Sequence, residues 1–247
     1  MSVRGLACIA GVYEHPTRLA PDKSVAQLHA ESARGALADA DLSLADVDGY
    51  FCAGDAPGLG PLNMIDYLGL RCRHVDSTDT GGSSYLVHVS HAAQAIAAGK
   101  CNVALITLAG RPRSEGRSGT QPRPRGAHIP DQAFELPFGL VTVNSYALVA
   151  ARHMHDWGTT PAQLAEIKVA ASLHAQHNPQ AMLTRPVSVQ EVLDSPMISS
   201  PLRRLDCCVV SDGGGALVVT RPEIARSLRQ PMVMLRGAGE AVKGLDG

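Results

Sequence analysis

The run Thr80-Gly81-Gly82-Ser83-Ser84 separates a strand-like segment from a helical one, and its residue types are suited to chemistry. Two glycines permit backbone angles and a close approach that side chains would block. With a helix starting at Ser83, the backbone N–H groups of Gly82, Ser83 and Ser84 stand unpaired at its positive end, where an anion or a developing oxyanion is stabilised. The run also nearly fits a nucleophile elbow, G-x-S-x-G, with Tyr85 in place of the last glycine, which keeps a serine hydrolase using Ser83 as an alternative. A dinucleotide site fits worse: Gly11 stands alone after the first strand, and Gly58-Leu59-Gly60 is a partial match in a loop. Plain helix capping by Ser83 and Ser84 competes with all of these.

Other reactive residues are weaker candidates. His88 and His91, like His174 and His177, fall three apart on helical segments, but zinc needs three or four ligands and neither pair has a third nearby in sequence, so no metal site is expected. Cys8, Cys52, Cys72, Cys101, Cys207 and Cys208 form no C-x-x-C pair and read as reduced thiols of the core. The run Gly110–Gly126 carries Arg111, Arg113, Arg117, Arg123 and Arg125 without apolar periodicity; it reads as a solvated loop, with a phosphate-binding lid as the alternative. Asp212-Gly213 reads as a turn.

The elements that must position these residues follow from hydrophobic period. Strand-length apolar runs at Leu6–Val12, Gly49–Ala53, His74–Ser77, Asn102–Ala109, Ala216–Thr220 and Met232–Arg236 alternate with helical patterns at Ser24–Ala40, Pro61–Leu68 and Ser83–Ala98. The last of these is expected to bury Leu86, Val89, Ala93 and Ile96 and to end at Gly99. This is βαβ grammar and implies a layered α/β fold. Thr160-Pro161-Ala162-Gln163 and Ser188-Val189-Gln190-Glu191 each spell a capping box, so Pro161–His177 and Val189–Asp194 are expected to be helices of an insert between two strands.

The chain has 247 residues, 45% of them hydrophobic, enough for a buried core. Its 22 basic and 23 acidic residues nearly cancel, which argues against a nucleic-acid partner. No apolar run reaches the roughly 18 to 20 residues that span a bilayer, and no basic-then-apolar leader opens the chain, so a soluble cytoplasmic protein is expected.

The whole pattern resembles the thiolase superfamily. There a strand leads into C-x-S-G, a buried helix, I-x-x-G and another buried strand, and counting back from Ile96-Ala97-Ala98-Gly99 places the family's nucleophilic cysteine at Gly82. FELPFG at Phe134–Gly139, HAQHNPQA at His174–Ala181, the block Ser195–Thr220 and GAGE at Gly237–Glu240 match its lipid-transfer (sterol-carrier) branch. The resemblance covers nearly the whole chain. It implies the N-terminal αβα half of a thiolase, with a mixed, mostly parallel five-stranded sheet and a helical loop subdomain over about 141–201. By the same resemblance Ser84, Cys208 and Ser211 belong to the binding site for coenzyme A or substrate, Cys208 standing where thiolases place a serine that contacts pantetheine.

Two departures shape the expected function. Gly82 has no side chain and cannot form an acyl-enzyme, and no Gly-His-Pro motif of a thiolase C-terminal half is found up to Gly247. In the branch that the chain resembles, some cysteine-less relatives act as aldolases with an OB-fold partner. The resemblance therefore implies retro-aldol cleavage of an acyl-CoA, with Gly82 and Ser83 as backbone donors and the thioester as substrate, not as a resident cofactor. A non-catalytic acyl-CoA or lipid-binding subunit beside an active homologue is the alternative. Association is expected either way, as a homodimer through the strand near Arg71–Ser77 or with a second chain.

Overall fold

A computed structural model describes residues 3–120 and 141–241. The expected FELPFG motif and Arg123 and Arg125 of the basic run lie outside these. In chain order the elements are β1 (Cys8–Glu14), α1 (Val25–Asp39), β2 (Gly49–Phe51), α2 (Pro61–Leu68), β3 (His74–Asp76), α3 (Ser84–Ala97), β4 (Val103–Gly110), α4 (Thr142–Trp157), α5 (Pro161–Ala175), α6 (Val189–Asp194), β5 (Met197–Ser199), β6 (Leu202–Arg203), β7 (Gly213–Thr220), α7 (Pro222–Ala225) and β8 (Val233–Met234).

They form two compact units, Met1–Ser114 with Asp212–Gly247, and Glu115–Ser211. In the first unit a six-stranded sheet runs in the order β3-β2-β4-β7-β1-β8. The α/β layering is as expected, but the sheet has six strands, not five, because the two-residue β8 joins its edge. It is also less parallel than expected: β2 is parallel to β3 and β4, whereas β7 is antiparallel to β4 and β1 and β8 is antiparallel to β1.

Strand alternation divides the core between the two faces of the sheet. Tyr50, Val103, Leu105 and Val218 pack with Ala33, Ala36 and Leu37 of α1 and Met64 of α2. Their neighbours Phe51, Ala104, Ile106 and Val219 pack with Val89, Ala92, Ala93 and Ile96 of α3. Helix α1 opens on a capping box, in which Ser24 Oγ accepts from the Gln27 N–H at 3.1 Å and the Gln27 carboxamide accepts from the Ser24 N–H at 2.7 Å. It lies close on the sheet because its contact face is small: a Cβ on Gly11 would stand 2.2 Å from the Ala36 carbonyl oxygen.

Asp212-Gly213, read from sequence as a turn, is instead a buried staple followed by the first residue of β7. The Asp212 carboxylate accepts from the N–H groups of Ala20 (2.8 Å), Arg113 (2.8 Å) and Ser114 (3.1 Å) and from the Ser114 hydroxyl. In the second unit both expected capping boxes are present, at Thr160 with Gln163 and Ser188 with Glu191. Helix α4, which the sequence reading left without an element, precedes them. The segment 141–201 lies within this unit.

Candidate functional site

Strands β2, β3 and β4 run parallel, so the chain segments leaving them meet at one edge of the sheet, where open α/β sheets place their ligands. The glycine turn follows β3 there. Gly81 adopts φ +74, a conformation that costs little for glycine alone. Asp79 fixes the turn to the loop after β2: one carboxylate oxygen accepts from the Gly81 N–H at 2.9 Å and the other from the Gly54 N–H at 3.1 Å.

Within the turn the serines have separate roles. Ser84 is fully buried; its hydroxyl donates to the Gly81 carbonyl at 2.6 Å and accepts from the Thr80 N–H at 2.8 Å. Its own N–H, expected to be unpaired, donates to the Gly81 carbonyl at 3.0 Å. Ser84 thus braces the turn, and the donors left at the start of α3 among the described residues are the N–H groups of Gly82, Ser83 and Tyr85. The Ser83 hydroxyl donates to the Thr80 carbonyl at 3.1 Å, not to a base as a serine nucleophile would. Gly82 is exposed, and a Cβ built on it would meet no atom within 4 Å. The position at which the resemblance places a cysteine is therefore open space.

A cleft of about 950 Å³ borders the turn, lined by Thr80, Gly81, Ser83, Leu86 and Val87 and, from the sheet side, Ile9, Leu217 and Leu235. Leu86 was expected in the core; it is 75% exposed and faces this cleft, while Val89, Ala93 and Ile96 are buried as expected. No cysteine lines the cleft among the described residues. Cys52 is buried and its thiol is pushed up to about 12, chiefly by loss of solvent, so it stays protonated. Cys8 and Cys101 are likewise buried, but Cys72 and Cys207 are partly exposed and Cys208 is exposed, so the reading of all six as core thiols fails for these three. Cys208 and Ser211 belong to the second unit, and Ser211 is half-buried.

The sequence reading missed a polar network just inside the turn. Tyr85, the second residue of α3, donates its hydroxyl to the Asp55 carboxylate in the loop after β2. The second Asp55 oxygen accepts from the Ala109 N–H at 2.8 Å, at the end of β4. His29 of α1, fully buried, brings Nε2 to 3.2 Å from that oxygen, tilted so that no aligned hydrogen bond forms. Its Nδ1 lies 2.9 Å from the Thr107 hydroxyl, which in turn meets the Tyr50 hydroxyl at 2.7 Å. Burial acts to raise the Asp55 carboxyl, but His29, Tyr85 and the Ala109 N–H outweigh it and hold it below the usual carboxylate value. The Tyr85 phenol is pushed up by burial first and by its hydrogen bond to Asp55 second. No spacing motif signals this network, since Tyr85 and Asp55 are 30 residues apart and His29 and Thr107 are 78 apart.

The histidine pair of α3 divides. His88 is buried beside Phe51 and Tyr85, with Nε2 2.9 Å from the Thr78 carbonyl, and burial lowers its pKa. His91 instead contacts Asp76 at 2.6 Å. Among the described residues no three His, Cys, Asp or Glu side chains are grouped to hold a metal ion, and no helix is long and apolar enough to cross a membrane.

An αβα layer with a glycine turn and a helix N-terminus at the strand ends is the architecture of a thiolase-like domain, and comparisons with known proteins agree. No protein-family profile matches the chain. A steroid side-chain-cleaving aldolase of Thermomonospora curvata is 34% identical over 96% of this chain and 62% of its own length. A 17-hydroxy-3-oxo-4-pregnene-20-carboxyl-CoA lyase of Mycobacterium tuberculosis is 32% identical over 96% of the chain and 63% of its own. The solved structure titled Ltp2-ChsH2(DUF35) aldolase superposes with a TM-score of 0.84 at 32% identity, covering 95% of this chain and 60% of that one. Acetyl-CoA acetyltransferases and sterol carrier protein 2 also match. The homologues of this chain are thus thiolases and SCP2-thiolase-like proteins of the thiolase superfamily. It spans about three fifths of the length of these relatives.

Proposed function

We propose that this chain carries part of the active site of an enzyme that cleaves a C–C bond of a β-hydroxyacyl-CoA by a retro-aldol reaction. The observation that carries the reading is Gly82: open space at the N-terminal end of α3, with no sulfur in the lining of the adjoining cleft among the described residues. A thiolase reaction needs a thiolate there, whereas retro-aldol cleavage needs only donors for the enolate oxygen and a base for the hydroxyl proton. The Gly82 and Ser83 N–H groups serve as donors to the thioester oxygen. Its negative charge grows as the bond breaks, so donors fixed at a helix terminus act on the transition state more than on the substrate.

The relatives' names supply the substrate class. A 17-hydroxy, 20-carboxyl-CoA steroid bears its hydroxyl β to the thioester carbonyl, the arrangement a retro-aldol step requires. A steroid side-chain thioester is accordingly the first substrate to offer. The solved relative is titled with a second component, and a partner of that kind is proposed here too. Coenzyme A enters as part of the substrate.

The test is to incubate the complete catalytic assembly with a β-hydroxyacyl-CoA and analyse the products. Release of a ketone or aldehyde with a shortened CoA ester, and no acylated protein by mass, is expected. If neither product forms, the reading is wrong. If turnover persists unchanged with Gly82→Trp, which fills the open space, this chain is a non-catalytic binding subunit.

A further inference from the structure

The proposed reaction requires a base that reaches the cleft. We propose that Asp79 is that base: its carboxylate takes the substrate's β-hydroxyl proton beside the Gly82 and Ser83 donors and returns it to Cα. This rests on the retro-aldol reading and assigns a step within it.

The lining of the cleft narrows the choice. Among the described residues that line it, only Asp79 and Glu240 carry acidic or basic side chains. Glu240 stands 3.6 Å from His91 Nε2, and His91 lies two helical turns along α3 from Ser83. At a rise of about 1.5 Å per residue that is roughly 12 Å from the donors. A general base must meet the proton it removes within hydrogen-bond reach, so Glu240 is too distant.

Asp79 stands at the turn itself and is exposed. One carboxylate oxygen is 2.9 Å from the Gly81 nitrogen, and the next amide along the chain is the Gly82 donor. The substrate has the same scale, because three bonds of about 1.5 Å join its carbonyl carbon to the β-hydroxyl oxygen. A thioester whose oxygen accepts from Gly82 and Ser83 therefore has its hydroxyl within reach of Asp79. The fold also makes room for this carboxylate. Its other oxygen accepts from the Gly54 N–H at 3.1 Å, and a Cβ on Gly54 would stand 2.3 Å from that oxygen. The Ser84 hydroxyl adds a longer contact at 3.4 Å. An ionised carboxylate has about four acceptor sites, so these contacts hold Asp79 in place and leave a site for the substrate hydroxyl.

The titratable groups on the surrounding elements are Asp55 next to Gly54, Asp76 on β3, and Tyr85 and His88 on α3, with Glu240 also in the cleft lining. The step balances. Asp79 takes the hydroxyl proton, the C–O electrons form the carbonyl, and the Cα–Cβ pair moves into the thioester enolate. The negative charge thus passes from Asp79 to the thioester oxygen, both at the N-terminal end of α3, where an anion is favoured. Protonated Asp79 then gives its proton to Cα, which leaves the shortened CoA ester and restores the carboxylate.

The experiment uses the complete assembly with Asp79→Ala and Asp79→Asn, each checked for its melting temperature. Each folded variant is expected to lose about 10²- to 10⁴-fold in kcat, while the dissociation constant for the acyl-CoA changes less than about threefold. Acetate added to Asp79→Ala is expected to raise kcat at least about tenfold, and difluoroacetate, a weaker base of similar size, much less, because general-base catalysis follows basicity. Equal rescue by both, or by neither, means that the carboxylate only braces the turn, and overturns the assignment. So does either folded variant keeping kcat within about threefold of the unchanged protein. If Asp79→Ala does not fold, Asp79→Asn carries the test: a fall in kcat with binding unchanged supports the assignment, and an equal fall in binding overturns it. An unchanged assembly that cleaves nothing fails at the earlier step, and removes the retro-aldol reading and this one together.

Discussion

At Gly82 the loss of a side chain is a change in chemistry more than in shape. A Cβ there meets nothing within 4 Å, and the position needs no left-handed backbone. Gly82→Cys is therefore expected to fold with a stability change under about 1 kcal/mol. Its thiol would lie at a helix N-terminus, which favours the thiolate, so at pH 7 it should react with iodoacetamide faster than a free cysteine. Alkylation no faster than that of free cysteine would show that the helix end does not favour negative charge. The neighbouring glycine behaves differently. Gly81 sits at φ +74, so Gly81→Ala is expected to cost about 1 to 2 kcal/mol, measurable by urea titration.

Among the elements, α1 positions His29 by lying unusually close to β1. Gly11 makes that possible: a methyl group there would stand 2.2 Å from the Ala36 carbonyl oxygen and 2.9 Å from the Ala40 Cβ. Gly11→Ala must push the helix away, with an expected loss of more than about 3 kcal/mol. A loss under 1 kcal/mol would mean that the packing of α1 on β1 is looser than these distances. By contrast, Ser24→Ala removes one cap of the same helix and should cost about 1 kcal/mol, with the helix otherwise kept.

For the molecule as a whole, pH acts through groups held away from their ordinary values. Asp55, Asp76 and Asp212 are all lowered: burial works against each, and hydrogen bonds to the carboxylate outweigh it. The stability they give is fully present above the unfolded value near 3.9 and is lost as pH falls through their lower folded values, so acid unfolding should steepen below about pH 4. His88 acts in another window. Burial lowers its pKa, so below about pH 6.5 the unfolded chain binds a proton that the folded one refuses, and stability falls as pH falls. Urea midpoints measured from pH 8 to pH 3 should show both phases, and His88→Gln should flatten the upper one.

The sequence alone determined the six strands of the main sheet, the starts of α1, α2, α3, α5 and α6, and the glycine turn, because alternation, capping boxes and paired glycines are local signals that neighbouring residues suffice to create; α4, α7, β5 and β6 escaped it. It was the resemblance to thiolases, not a local signal, that marked Gly82 as the position without a nucleophile. The sequence misplaced Leu86, since helical spacing says which residues share a face but not whether another layer covers them. It also read Asp212 as a turn, since nothing adjacent shows that Ala20, Arg113 and Ser114 bring their donors to it. Only the tertiary structure decided that Asp55, His29 and Tyr85 meet. Three segments converge at the ends of parallel strands, and a carboxylate buried among distant donors leaves no trace in the residues beside it.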